Sequence, residues 1–272
     1  MTENQNLENL FQRLWEQYTK DSPQAAEIHQ LFLDQGEAIA NDHIALRTFD
    51  DPRVNVDQLG RFFCELGYEE KGKYEFPVKK LFAKHYEHVN GDQPKIFISE
   101  LKTREFSESL QQQAKTCIDR IEKSQLNKSS LLYSGASWKP IDYDVYQALL
   151  EESEYAAWVY AFGFRANHFT VFVNDMKKLN SIEAVNQLLK ERNYQLNAAG
   201  GEIKGTPDDL LEQSSTLANK VMVKFNQGEF EIPNSYYEFA KRYPSEEGKL
   251  FQGFVAASAD KIFESTDVKK DE

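Results

Sequence analysis

Two histidines, each opening an alternating apolar run, constrain this chain more than any other feature. His43 stands in NDHIALRTF and His168 in RANHFTVFV. Alternation of that kind marks strands with one face turned inward. After His43 come a helical stretch, VDQLGRFFCELGYEE, and two strand-like runs, KKLFAKHYEHV and KIFISELK. After His168 come IEAVNQLLKERNYQL, NKVMVKF and EFEIPNSYYEFAKR in the same order. The chain therefore reads as an internal repeat of two βαβββ units, which predicts an α+β fold. The expected layout is a helical brace over 1–40, a first module over 41–103, a helical linker over 104–164, and a second module with the C-terminal segment over 165–272. The brace rests on Leu7, Leu10, Phe11, Leu14, Trp15 and Tyr18, which share one face at helical spacing. In the linker, SESLQQQAKTCIDRIEK and DYDVYQALLEESEYAAWVYAFG each read as a helix, the second entered from Pro140 and Asp142 and closed by Gly163. The polar tail from Ser265 to Glu272 is expected to fray.

A single histidine in a strand is usually structural, but two at matching places in a repeat point to a shared centre. The closing strand of each copy carries a carboxylate, Glu100 or Glu238, and Glu231 is a third candidate; spacing alone does not choose among them. Two histidines and one carboxylate with open positions form the donor set of non-haem Fe(II), and the same set suits Zn2+ or Ni2+. His85 and His88 fall on opposite faces of a strand and cannot share one ion. His29 lies in an amphipathic helix, at the surface or in packing. Arg47 is on the same strand face as His43, about 13 Å further along. From there its guanidinium can pair bidentately with a carboxylate whose other end is bound at the metal, an ordinary salt bridge being the alternative. The glycine-rich AAGGEIKGTPDDLLEQSS marks a loop and lacks the spacing of a phosphate-binding loop.

With 40% hydrophobic residues the chain can bury a sizeable core. Its formal net charge of -12 argues against nucleic acid or an anionic membrane as the main partner. No apolar run is long enough to span a bilayer and the N-terminus lacks a leader pattern, so a cytoplasmic protein is expected. Cys64 and Cys117, both in helix-like stretches, are expected to be reduced and buried.

The chain resembles the 2-oxoadipate dioxygenase/decarboxylases, or hydroxyglutarate synthases, of the vicinal-oxygen-chelate (glyoxalase-like) group. The resemblance rests on NDHIALRTF, NHFTVFVN, GGEIKGTP with LLEQSSTLA, IPNSYYEFAKRYP and FVAASADKIFEST, and covers most of the chain. It implies a curved mixed sheet around a metal held by His43, His168 and Glu238, the glutamate of the Y-x-E-F segment. It also assigns Arg47 to a substrate carboxylate. A Val-Ser pair in the terminal segment shapes the pocket in that family; Ala257 and Ser258 stand there, the valine being replaced by a smaller residue. Lys204, Gln213 and Ser215, from GGEIKGTP and LLEQSSTLA, complete the expected substrate-binding set. The implied reaction uses Fe(II) and O2 to convert 2-oxoadipate into 2-hydroxyglutarate and CO2, as in lysine catabolism. Phe169, Tyr236 and Tyr237 either exclude water from such a site or, as is commoner, pack the core. Two other classes compete: a non-oxidative metal-dependent lyase, isomerase or hydrolase, and a non-catalytic small-acid binding protein. Dependence on O2 separates the first from the dioxygenase, and metal content with turnover separates the second.

Overall fold

The computed structural model describes residues 3–266. Helix α1, Glu3–Asp21, buries Leu7, Leu10, Leu14 and Tyr18, whose spacing of three and four places them on one stripe. Helix α2, Pro23–Asp34, starts on a proline, which suits a first helical position, and buries Ala25, Ile28 and Phe32. Helix α1 braces the strand that carries His168. Trp15 meets Phe169 edge-on at 5.0 Å, and the Tyr18 hydroxyl donates to the Tyr236 carbonyl at 2.5 Å.

The first module comprises β1 (Asn41–Phe49), α3 (Val56–Cys64), β2 (Tyr68–Phe76), β3 (Leu81–His88) and β4 (Lys95–Leu101). The helix is shorter than the expected stretch. Gly67, at φ +85°, turns the chain where a side chain would be strained, and Tyr68 already begins β2. The linker holds α4 (Glu108–Asp119), α5 (Tyr143–Glu152) and α6 (Glu154–Phe162). A single helix was expected over the last two. Instead Ser153 is extended (φ −157°, ψ 107°), ends α5, and caps α6 by accepting from the Ala156 N–H.

The second module comprises β5 (Ala166–Phe172), α7 (Ile182–Glu191), β6 (Leu211–Ser215), β7 (Lys220–Phe225), β8 (Gly228–Pro233) and β9 (Glu238–Arg242), followed by α8 (Ala256–Phe263) and a 3-10 turn, Glu264–Thr266. Seven strands form one mixed sheet in the order β2-β3-β4-β1-β5-β9-β6. The modules meet at its centre, where β1 and β5 run antiparallel; β4 lies parallel to β1 and β9 parallel to β5. Here the two copies differ. The stretch EFEIPNSYYEFAKR, expected as one closing strand, is two: β8 ends at Pro233, and Asn234, whose side chain donates to the Asp21 carbonyl, belongs to neither strand. Strands β7 and β8 pair only with each other, and Phe230 of that hairpin stacks on Tyr143 at 3.6 Å.

Cys117 is buried, as expected, but Cys64 is exposed at the end of α3; both are free thiols. The expected fraying fails at Ser265 and Thr266, which are buried. The Ser265 carbonyl accepts from the Ala218 N–H at 2.9 Å and its hydroxyl from the Asn197 side chain at 2.8 Å. The rest of that tail, 267–272, lies outside the described residues. Among the described residues no helix is long and apolar enough to cross a membrane.

Candidate metal centre

Two β-bulges, one beside each histidine, build the centre. In the β1–β5 pairing Asn41 faces Val171 and His43 faces Thr170, so Asp42 is the extra residue. At the other end Ala45 faces His168 and Leu46 faces Ala166, so Asn167 is extra. A bulge re-aims its side chain, which lets sequence neighbours meet that a regular strand would send to opposite faces. The Asp42 carboxylate lies 2.8 Å from His43 Nδ1, and the Asn167 side-chain oxygen lies 3.0 Å from His168 Nδ1. Arg242 clamps Asp42 with two N–H donors at 2.6 and 2.9 Å. Burial opposes the Asp42 charge, but Arg242 and the bonds from His43 and Arg242 hold it well below the usual carboxylate range. A carboxylate only accepts, so His43 Nδ1 carries a hydrogen and Nε2 presents a lone pair. With Asn167 oxygen facing its Nδ1, His168 is set the same way.

Both lone pairs face Glu238, and that of His43 also accepts from the Thr170 hydroxyl at 3.1 Å. His43 Nε2 is 3.5 Å and His168 Nε2 is 3.1 Å from its two oxygens, and donor atoms of all three residues lie within 4.8 Å of one another. Glu238 Oε1 accepts from Gln213 at 2.6 Å, whereas the buried Oε2 has no hydrogen-bond donor. Burial lowers His43, against the pull of Asp42, and lowers His168 further, helped by the nearby His43. Burial also pushes the Glu238 carboxyl up to about 8, although the Gln213 bond resists. Neutral imidazole nitrogens and a carboxylate converge without a proton donor for Oε2. A divalent cation satisfies them together, so the donors fit a metal.

Arg47 is buried a short way along the same face. Its guanidinium lies 5.0 Å from the Tyr155 ring and 5.1 Å from the Trp158 ring. Nη2 donates to the Thr266 hydroxyl at 3.2 Å, and Nη1 stands 3.7 Å from Glu154. Nε and Nη1 make no hydrogen bond, an uncommon state for buried donors and one that a carboxylate would relieve.

The family model for 2-oxoadipate dioxygenase/decarboxylase matches residues 3–250. The chain belongs to that family. The chloroplastic 2-oxoadipate dioxygenase/decarboxylase of Arabidopsis thaliana is 36% identical over 263 residues, which cover 85% of this chain and 69% of that protein. The crystal structure of hydroxyglutarate synthase from Oryza sativa in complex with 2-oxoadipate superposes with a TM-score of 0.91 at 32% identity, covering 97% of this chain and 93% of that one. A Shewanella frigidimarina crystal structure described as a candidate hydrolase superposes with a TM-score of 0.87 at 52% identity, covering 92% and 98%. The architecture is glyoxalase-like.

In this dioxygenase/decarboxylase family member, sheet register separates the three candidate carboxylates. Glu238 pairs with Thr170, two residues beyond His168. The residue two beyond His43 is Ala45, and its partner is Phe97. Phe97 is thus the counterpart of Glu238 and lines the same cavity. Glu100, three residues further, falls on the opposite face and accepts from the Val56 N–H at 2.8 Å, at the start of α3. Burial raises it to about 7, against that bond. Glu231 is exposed on β8.

The expected substrate contacts divide. Gln213 lines the cavity and grips Glu238. The Lys204 ammonium donates to the carbonyls of Asn197 and Gly201, and burial lowers it to about 8 although Glu238 pulls the other way. Ser215 is tied to Ser265 at 2.8 Å, and the Ser258 hydroxyl packs against Gly205; neither lines the cavity. Ala257 is exposed, because the inward face of α8 is set by Ala259, Ile262 and Phe263, whose spacing turns Ala257 outward. Phe169 and Tyr237 pack against Trp15, whereas Tyr236 stacks on His168 at 4.5 Å. His29 approaches the Tyr237 hydroxyl at 3.2 Å, His85 bonds Tyr74 and Glu87, and His88 packs on Tyr68. Asp42, Asn167, Arg242, Glu154, Thr266 and Phe254 were absent from the sequence candidates. Only Asp42 and Asn167 left a sequence signal: a short polar acceptor before each repeated histidine.

Proposed function

We propose that this chain converts 2-oxoadipate and O2 into 2-hydroxyglutarate and CO2, with Fe(II) as its metal. The observation that carries the reading is the convergence of His43, His168 and Glu238 beside a buried arginine whose Nε and Nη1 make no hydrogen bond, in a member of this family. Bound Fe(II) would supply O2 activation and chelate the 2-oxo acid.

The protein's part is binding, orientation and exclusion of water. Asp42 and Asn167 hold the two imidazoles in the tautomer that offers Nε2, and Gln213 fixes one oxygen of Glu238. Arg47 takes a substrate carboxylate by charge-assisted hydrogen bonds, each contributing roughly 1.5–3 kcal/mol. Phe254, edge-on to His43 at 4.8 Å, and Phe97 keep that side of the centre dry.

The test is O2 uptake by anaerobically Fe(II)-loaded protein on addition of 2-oxoadipate, with mass spectrometry of the product. Uptake with equimolar CO2 and 2-hydroxyglutarate is expected. Bound metal with no uptake would overturn the reading.

A further inference from the structure

The space at the metal donors is only ≈20 Å³. That is room for about one water molecule, whereas small-molecule pockets run to roughly 300 Å³ or more. A 2-oxo acid therefore enters only if part of the wall moves. His43, Phe97, His168 and Glu238 sit on central strands of one sheet, and Gln213 on its edge strand β6. The remaining wall residues, Phe254, Ala259, Ile262 and Phe263, all come from one C-terminal segment.

That segment is strapped across the site between two arginines. At its start Arg242 donates to the carbonyls of Phe251 and Gly253 at 2.9 and 2.8 Å. At its end Arg47 donates to Thr266, and the Thr266 hydroxyl in turn donates to Glu154. Ser265 adds ties to Asn197, Ser215 and Ala218. Of these fastenings, only the one at Thr266 uses a group that the incoming substrate also wants.

We propose that Glu154 and Thr266 engage Arg47 in place of a substrate carboxylate and so latch the segment Phe254–Thr266 over the metal donors until the substrate replaces them. The substrate half of this statement rests on the function proposed above; the latch itself does not. Glu154 occupies the first turn of α6 because Ser153 breaks the helix there, so its carboxylate is delivered from a rigid element. Phe263 lines the cavity and lies 5.7 Å from the guanidinium, so movement at the arginine reaches the cavity wall through one side chain.

The experiment is hydrogen exchange by mass spectrometry on the full-length, ligand-free chain, comparing wild type with Thr266→Val, Thr266→Ser and Glu154→Gln. Removing a hydrogen bond to a charged group is expected to speed exchange across 256–266 about tenfold in Thr266→Val, with β1 and β5 unchanged. Glu154→Gln is expected to shift exchange in the same direction, and it covers the case in which the valine variant fails to fold. Thr266→Ser is expected to restore the wild-type rate. In turnover with 2-oxoadipate, Thr266→Val is expected to lower KM several-fold and change kcat less. Unchanged exchange in both latch variants, or a raised KM in Thr266→Val, overturns the proposal. Wild-type O2 uptake, measured alongside, reports separately on the function: uptake with unchanged exchange removes the latch alone, and faster exchange without uptake removes the function alone.

Discussion

The two modules share a frame and differ in charge. Each supplies a bulge, a histidine and a short acceptor on the bulged residue, Asp42 in the first and Asn167 in the second. Each then places a neighbouring parallel strand where a third ligand would sit. The second module puts Glu238 there and the first puts Phe97. One carboxylate with two neutral imidazoles leaves a divalent ion with a net positive charge, which favours an anionic oxo acid at the remaining positions. A carboxylate at both places would cancel that charge in a buried site, where unbalanced charges are costly. An aromatic ring instead provides a dry wall.

The largest effect should come from His168→Ala. It removes one of three metal donors, and metal content by elemental analysis should fall to near zero with turnover down at least about a thousandfold. Wild-type metal stoichiometry in that variant would refute the assignment of the centre. Next, Glu238→Gln should lose tight metal binding, and adding Phe97→Glu should return part of it as measured by metal titration. If the added glutamate restores nothing while the chain remains folded, the register equivalence of 97 and 238 has no bearing on metal binding. The two acceptors should differ in weight: Asp42→Asn should weaken metal affinity about 10- to 100-fold, and Asn167→Ala less, because only Asp42 is a charge clamped by Arg242. Equal losses would show that the imidazoles are oriented independently of that clamp.

The smallest effect concerns Glu100. Its carboxyl is raised to about 7 from an ordinary 4.5, so the stability it contributes is whole below about 4.5 and is lost as pH rises through about 7. The melting temperature of wild type relative to Glu100→Gln should therefore fall between pH 5 and 8. Parallel curves would show that Glu100 is not held neutral in the fold.

How much of this was legible follows from which signals are local. The repeated strand-helix order and the two histidines could be read because alternation and helical spacing are properties of short windows. That Arg47 shares the face of His43 followed from strand period alone. The choice of Glu238 did not, because Glu100 occupies a similar place along its own copy and only register shows it facing α3; the resemblance to a known family singled out Glu238 in advance. That resemblance served less well at the C-terminus, where it named Ala257 for the pocket and the fold turned that residue outward.

The sequence by itself determined two amphipathic repeats, a pair of strand-borne histidines and an acidic chain able to form a core. Those are consequences of side-chain periodicity and composition. The tertiary structure decided which carboxylate meets the histidines, that Asp42 and Asn167 point at their own neighbours, that Ser153 breaks a helix to deliver Glu154, and that Ser265 and Thr266 are buried. Each depends on how distant segments register and pack. A one-residue bulge or a three-residue offset sends a side chain to the other face, and no local window records that.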